Sequence, residues 1–435
     1  MTSHIAAERC ERSLARAATA AARSALITTT SQRAVYEAEL SDARRRAGRA
    51  RSELDGTPIV WKDLFDVAGT TTTCGSAVAA HRSPARVDSA LVRRAGRLGL
   101  VTIAKANLSE FAFSGLGVNR HFGTPINPID AALVPGGSSS GSAVAVTTGV
   151  APLAVGTDTS GSVRVPAAFC GCVGFRASRN RYGPNDFAPL SPTLDCVGVL
   201  ATDVGLIRTL DRLLAGGQPR PHAGDAPRYV IPAGEWVDDC TPGVRTAFAA
   251  AIDALRSQGF SVTTRRIAAL DTAQQLLDTH GTLVGAEAYE RYGHLACAAG
   301  IESATRRRLR HNAHLDTGPV RAAMPALRRQ FGAELQDALL LCPTVRHEPP
   351  TVDALLACED RYDSANASTL RTTMALSYLG TCGISLPLAR NGIPLPIGLL
   401  ISAPHGADED LLAQAALVTR YTSYTPSTLR TTLSR

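Results

Sequence analysis

Residues 135–166 read PGGSSSGSAVAVTTGVAPLAVGTDTSGSVRVP, and this stretch decides the fold. Past the glycine–serine cluster, Ser140–Thr148 has the small, apolar make-up of a buried helix, and Gly149 breaks it. Val150–Val155 is then a short apolar run of the kind presented by a strand covered on both faces. A second glycine-flanked serine, Ser162, follows in Gly156-Thr-Asp-Thr-Ser-Gly-Ser-Val-Arg-Val-Pro166. A helix that feeds a strand through a glycine is one unit of an α/β chain.

The alternation continues outward. Thr57–Trp61 and Leu100–Ala104 read as buried strands, with a helical pattern at Asp88–Leu98 between them. Residues 5–52 are rich in alanine, arginine, leucine and glutamate and predict two helices, broken at the capping cluster Thr28-Thr-Thr-Ser31. Beyond the core, a glycine/proline loop at Ala215–Pro221 leads to a strand at Arg228–Ile231. A helix opened by Thr241 as N-cap with Pro242 at its first position comes next, then a strand at Phe260–Ile267. Residues 270–335 are mostly helical in pattern. Strands return at Ala338–Cys342, Gly383–Leu388 and Ile397–Ser402, before a last helix from about Asp408. Strand material at both ends predicts one domain over 1–435. It divides into N-terminal helices (1–54), a core (55–215), a helical subregion (216–335) and a part completing the sheet (336–435).

Composition narrows the class. The 435 residues are 45% hydrophobic and 19% charged, which is ordinary for a globular chain. No apolar run is long enough for a transmembrane helix. The N-terminus carries Glu8 and Glu11 and has no continuous apolar segment, so it does not read as a secretory signal, and a cytoplasmic location is expected. The net charge of +7 is spread along the chain. Its richest basic run, Arg306–Arg310, reads as a solvated helix face rather than a nucleic-acid contact. Ten cysteines form no CxxC pair, and Cys170-Gly-Cys172 has the wrong spacing for zinc, so they read as thiols packed as small hydrophobes. His311 and His314 are spaced so that a helix would present both rings on one face, but no third ligand lies nearby in sequence, and no metal is expected.

All but two of the 45 basic residues are arginines; the exceptions are Lys62 and Lys105. Arginine keeps its proton, whereas a buried lysine can lose it and act as a base. Lys62 lies in Ile59-Val-Trp-Lys-Asp-Leu-Phe-Asp-Val-Ala-Gly69. A serine hydroxyl is a poor nucleophile without a base beside it. Glycine-flanked serines together with a candidate neutral lysine therefore suggest a serine hydrolase that works without histidine. No Gly-Lys-Ser/Thr follows the glycine cluster, which argues against a phosphate-binding loop.

Gly136-Gly-Ser-Ser-Ser-Gly141 followed by Gly156–Phe169 resembles the signature of the amidase signature family, and Ser138 and Ser162 stand 24 residues apart, as is typical there. Trp61-Lys62-Asp63, Ala104–Ala112, Phe122-Gly-Thr-Pro125 and Pro189–Asp195 are similar to further family segments, in the same order. The resemblance runs from about residue 55 to 210, and more weakly through 341–344 and 383–401. It implies an α/β fold: a single large domain with a mixed, mostly parallel central sheet covered by helices on both faces. It implies Ser162 as nucleophile, Ser138 as proton relay after a cis Gly137–Ser138 bond, and Lys62 as base. The oxyanion would be met by the backbone N–H groups of Thr159, Ser160, Gly161 and Ser162. Asp158 and Arg164 would hold the loop, Ser139 and Ser140 would neighbour Lys62 or shape the turn, and Lys105 would be structural.

The implied activity is hydrolysis of a small-molecule amide through an acyl-enzyme, with no cofactor, no membrane and a homodimer as the family-based expectation. One alternative is the glutaminase A subunit of a tRNA-dependent amidotransferase, which would bring a partner protein and nucleic acid. Another is a catalytically idle binding protein on the same fold. The chain departs from the family pattern at Ser160, where glycine is frequent, at Arg176, where lysine is usual, and at Ser178-Arg-Asn180. Residues 178–190 and the variable middle shape the acyl pocket, so the substrate is not named by the resemblance. Arg307, Arg308 and Arg321 are the arginines considered for a substrate carboxylate, because the guanidinium fork matches one.

Overall fold

The computed structural model describes residues 4–216, 228–390 and 393–421. Among them, eleven strands form one sheet. They are β1 (Leu26–Thr29), β2 (Pro58–Lys62), β3 (Val101–Ala106), β4 (Leu153–Asp158), β5 (Val173–Arg176), β6 (Cys196–Ala201), β7 (Arg228–Pro232), β8 (Ser261–Arg265), β9 (Leu339–Pro343), β10 (Cys382–Arg390) and β11 (Ile393–Ala403). Their spatial order is β1-β3-β2-β4-β6-β5-β10-β11-β9-β7-β8. The α/β class and the single large domain are as expected, and strands from both halves of the chain share the sheet.

The expectation of a mostly parallel sheet needs correction. Parallel pairing is confined to β3/β2/β4 and to β9/β7/β8. The six other ladders, including the whole centre, are antiparallel. The reason lies in the connections. Helices Ala90–Arg97, Ser140–Thr147 and Pro242–Ser257 make crossovers, which return the chain in the same direction. Helix Arg164–Cys170 does the same between β4 and β5, but β6 is then inserted between that pair and must oppose both.

Side chains alternate across the sheet. In β2, Ile59 and Trp61 join a core with helices Val204–Ala215, Pro242–Ser257 and Asp408–Val418, while Val60 faces helices Ile5–Ala17, Ser31–Arg46 and Ser140–Thr147. In β11, Leu399 and Ile401 take the first face, and Leu400 packs toward helices Ala268–His280, Gly318–Leu335 and Glu359–Tyr378. Both faces are therefore covered, which explains the apolar runs in the sequence.

Three local readings shift. The break between the first two helices holds an edge strand, β1, antiparallel to β3, because the β-branched Ile27-Thr28-Thr29 favours extended backbone. β4 starts at Leu153 rather than Val150, since Val150 and Ala151 still donate to the Ala145 carbonyl. Pro242 opens its helix as predicted, but the Thr241 hydroxyl donates to Glu348 at 2.7 Å instead of capping. The loop at 215–221 lies largely outside the described residues. The subregion 216–335 is mostly helical but contributes β7 and β8 to the sheet. No helix among the described residues is long and apolar enough to cross a membrane.

Candidate active site

Lys62 ends β2 and is fully buried. Its Nζ lies 2.6 Å from Ser138 Oγ and 3.0 Å from Thr157 Oγ1 of the neighbouring strand β4. No carboxylate among the described residues pairs with it directly. Burial disfavours the ammonium and lowers its pKa to about 7, against the opposing pull of Asp158 and Asp195. Near neutral pH a large share of Lys62 is thus an uncharged amine, able to accept a proton from the Ser138 hydroxyl.

Ser138 is held by the glycine turn before it. Gly136 has φ +72°, the Gly137–Ser138 bond is cis, and Gly137 N donates to Gly115 O at 2.7 Å. A Cβ on Gly137 would stand 2.7 Å from Gly117 N, so only glycine fits there. Ser139 N donates to Ser162 O at 3.0 Å and ties this turn to the loop carrying the second serine. The expectation that Ser139 or Ser140 neighbours Lys62 is not met by a bond. The Ser139 hydroxyl turns to Thr157 O at 3.3 Å, and Ser140 Oγ has no partner among the described residues.

The loop between β4 and helix Arg164–Cys170 is built around Asp158. Its carboxylate accepts from Gly161 N at 2.8 Å, Val163 N at 3.1 Å and Arg164 N at 3.3 Å. It also takes Arg164 Nε at 3.0 Å and Nη2 at 2.8 Å, and lies 3.3 Å from Arg176 Nη1. Burial alone would raise the Asp158 pKa, but the two guanidinium groups and the N–H donors outweigh it and hold the carboxyl well below its usual range. Asp158 and Arg164 are therefore the loop's framework. Arg176, the departure from the usual lysine, joins them and also binds Asp158 O, Thr381 O and Leu194 O.

This framework revises the oxyanion expectation. Gly161 N–H points at Asp158 Oδ1, which removes it from the four anticipated donors. The N–H groups of Thr159, Ser160 and Ser162 have no acceptor among the described residues. Ser162 itself is 3% exposed. Gly161 sits at φ +131°, and a Cβ there would meet Thr373 Oγ1 at 2.2 Å. That threonine, on helix Glu359–Tyr378, donates to Ser160 O at 2.6 Å, so the loop is also held from outside.

Lys105 behaves differently. Both it and Asp63 are fully buried, and they form an ion pair at 2.6 Å. Its Nζ also reaches Thr72 Oγ1 at 2.6 Å and Thr71 O at 3.2 Å. This fits the structural role expected of it.

The family model described as Amidase matches residues 8–412. The chain belongs to the Amidase family. It is an amide-cleaving hydrolase by class. It is 32% identical over 383 residues to a 2-amino-5-chloromuconic acid deaminase of Comamonas testosteroni, covering 85% of this chain and 82% of the relative. It is 31% identical over 411 residues to an indoleacetamide hydrolase of Pseudomonas savastanoi, covering 87% of each. A solved structure described as an amidase superposes with a TM-score of 0.84 at 29% identity, over 96% of both chains.

Within this Amidase fold, sequence reasoning missed three groups at the site. Thr157 lies inside the signature segment with no local cue that its hydroxyl meets Lys62. Asp195 closes the Pro189–Asp195 segment and takes Thr159 Oγ1 at 2.6 Å, Leu190 N at 2.9 Å and Ser191 N at 3.1 Å. Burial raises its pKa to about 6, with those hydrogen bonds and Lys62 opposing. Thr373 has no local signal at all, since it arrives from more than 200 residues downstream. Of the ten cysteines, eight are buried, and Cys297 and Cys358 are exposed.

Proposed function

We propose that this protein hydrolyses the C–N bond of a small-molecule amide, with Ser162 as nucleophile, Ser138 as relay and Lys62 as base. The observation that carries the reading is a fully buried lysine, at a pKa of about 7, hydrogen-bonded to Ser138 at 2.6 Å. Neutral Lys62 takes the Ser138 proton as Ser138 takes the proton of Ser162. The Ser162 oxygen attacks the amide carbonyl, and the negative charge that forms on the carbonyl oxygen is met by the N–H groups of Thr159, Ser160 and Ser162. The proton returns through Ser138 to the leaving nitrogen, the C–N bond breaks, and ammonia or an amine departs. Water then attacks the acyl-enzyme along the same proton path and releases the acid.

The names of the similar proteins, an indoleacetamide hydrolase and a 2-amino-5-chloromuconic acid deaminase, support a small molecule as the substrate. The test is ammonia release from a panel of amides, ureas and glutamine by wild type, Lys62→Ala and Ser162→Ala. Release by wild type and loss of roughly 10³-fold or more in each variant supports the triad. Activity that survives Ser162→Ala sinks it. Release from glutamine alone, and only with an added partner, would replace it by the amidotransferase reading.

A further inference from the structure

The open N–H groups of the loop after β4 are aimed by whatever holds the carbonyls beside them. In a trans peptide the C=O and the following N–H point in opposite directions, so fixing one aims the other. Asp158 O is bound by Arg176 Nη1, which turns the Thr159 N–H away from that guanidinium. Gly161 O accepts from Val165 N at 2.8 Å, which turns the Ser162 N–H away from helix Arg164–Cys170. Between them, Ser160 O accepts from Thr373 Oγ1 at 2.6 Å, and the N–H of the same peptide, that of Gly161, donates to Asp158 Oδ1 at 2.8 Å. The Ser160–Gly161 peptide is therefore pinned at both ends.

This peptide lies between two of the open donors, the Ser160 N–H before it and the Ser162 N–H after it. Its tilt sets the angle at which those two N–H groups converge. Gly161, at φ +131° and without a side chain, offers little resistance to a rotation of the plane, so the two pins must supply it. Asp158 holds one end but also holds Val163, Arg164 and Arg176, so its loss would dismantle the whole loop. Thr373 holds the other end and nothing else in the loop by its hydroxyl. That hydroxyl has one hydrogen, and Leu370 O, the carbonyl a threonine inside a helix commonly takes, lies at 3.2 Å. The shorter bond goes out of the helix to Ser160 instead.

We infer that Thr373 is a positioning residue of the oxyanion site: by holding the Ser160 carbonyl it fixes the peptide between the Ser160 and Ser162 N–H groups, and with it their convergence on the oxygen that becomes negative. This rests on the triad reading above and assigns that same site a further residue. The fully buried Thr373 is not needed to dock its helix, because Arg164 Nη2 also reaches Thr373 O at 3.2 Å and Ser377 Oγ at 2.7 Å. Valine in its place keeps the shape and leaves the Ser160 carbonyl without its donor.

The test compares Thr373→Val and Thr373→Ser with wild type on the best amide of the panel, with rates counted per Ser162 labelled by a fluorophosphonate. Thr373→Val should lower kcat by about 10- to 100-fold with KM within about threefold, because misaimed donors weaken the transition state more than the bound amide. Thr373→Ser, which keeps the hydroxyl, should recover most of the loss. An aldehyde analogue of the substrate, whose adduct with Ser162 places an oxyanion in the site, should bind Thr373→Val more weakly by the same factor as kcat/KM falls. The acid limb of kcat against pH should stay in place, since Lys62 is untouched. Normal kcat per labelled site in Thr373→Val overturns the inference. So does a loss that serine fails to recover, a loss with unchanged aldehyde affinity, or a moved acid limb, which would trace the defect to Lys62. Wild type that cleaves no amide and takes no label at Ser162 sinks the amidase reading and this inference with it. An active, labelled wild type beside an unimpaired Thr373→Val sinks this inference alone.

Discussion

Lys62 and Lys105 make a controlled comparison within one sheet. They sit on the adjacent parallel strands β2 and β3, where Trp61 is the register partner of Lys105, and both are fully buried. Lys105 meets the Asp63 carboxylate at 2.6 Å. Lys62 meets only hydroxyls, those of Ser138 and Thr157. Burial is the same, so the nearest partner decides what each amine is for. A lysine given a carboxylate becomes an ion-paired strut, and one given only hydroxyls loses its preference for the charged form, which is the state the proposed base requires.

The largest expected effect separates the two by activity. Lys62→Met should lower kcat by roughly 10³- to 10⁴-fold while leaving the melting temperature unchanged or higher, because it removes a desolvated amine without orphaning a carboxylate. Lys105→Met should do the opposite. It leaves Asp63 buried and unpaired, and denaturant unfolding should show a loss of about 3–5 kcal/mol, with kcat per folded molecule down less than about tenfold. If Lys105→Met abolishes activity in fully folded protein, the division of labour is wrong.

A smaller effect concerns pH. The native pKa of Lys62 is about 7, below the roughly 10.4 of an unfolded lysine. Between those values the unfolded chain binds a proton that the native chain does not, so stability gains with rising pH. Relative to Lys62→Met, the wild type should therefore become more stable between pH 7 and 10, by on the order of 4 kcal/mol at most. The same titration should give the rate profile an acid limb near pH 7. A wild-type-minus-variant difference that is flat with pH would mean that Lys62 keeps its proton.

The smallest effect probes the distant carboxylates. Asp195 raises the pKa of Lys62 by its charge. Asp195→Asn should move the acid limb to lower pH by less than about one unit, readable from kcat against pH. A shift to higher pH would reverse the assigned sign.

Much of the fold was legible because β2, β3, β4, β9 and β11 are apolar runs, and a sheet covered on both faces demands such runs. Strands β5 and β6 were not, since Val173-Gly-Phe-Arg176 and Cys196–Ala201 are short and carry glycine. Missing them hid the insertion of β6 between β4 and β5, and with it the antiparallel centre. At the site, Lys62, Ser138 and Ser162 stood out through lysine scarcity and flanking glycines. The loss of Gly161 as an oxyanion donor did not, because its N–H partner is set by a turn conformation.

The sequence by itself determined the class of the protein. Its strand and helix periods, the glycines that admit tight turns, and the ordered serine and lysine segments are local properties of the chain. Only the tertiary structure decided which lysine gives up its charge and which N–H groups of the loop stay open. Desolvation and pairing depend on neighbours brought together across the sheet from distant parts of the chain, as Thr373 is brought to Ser160 and Tyr362 to Arg308.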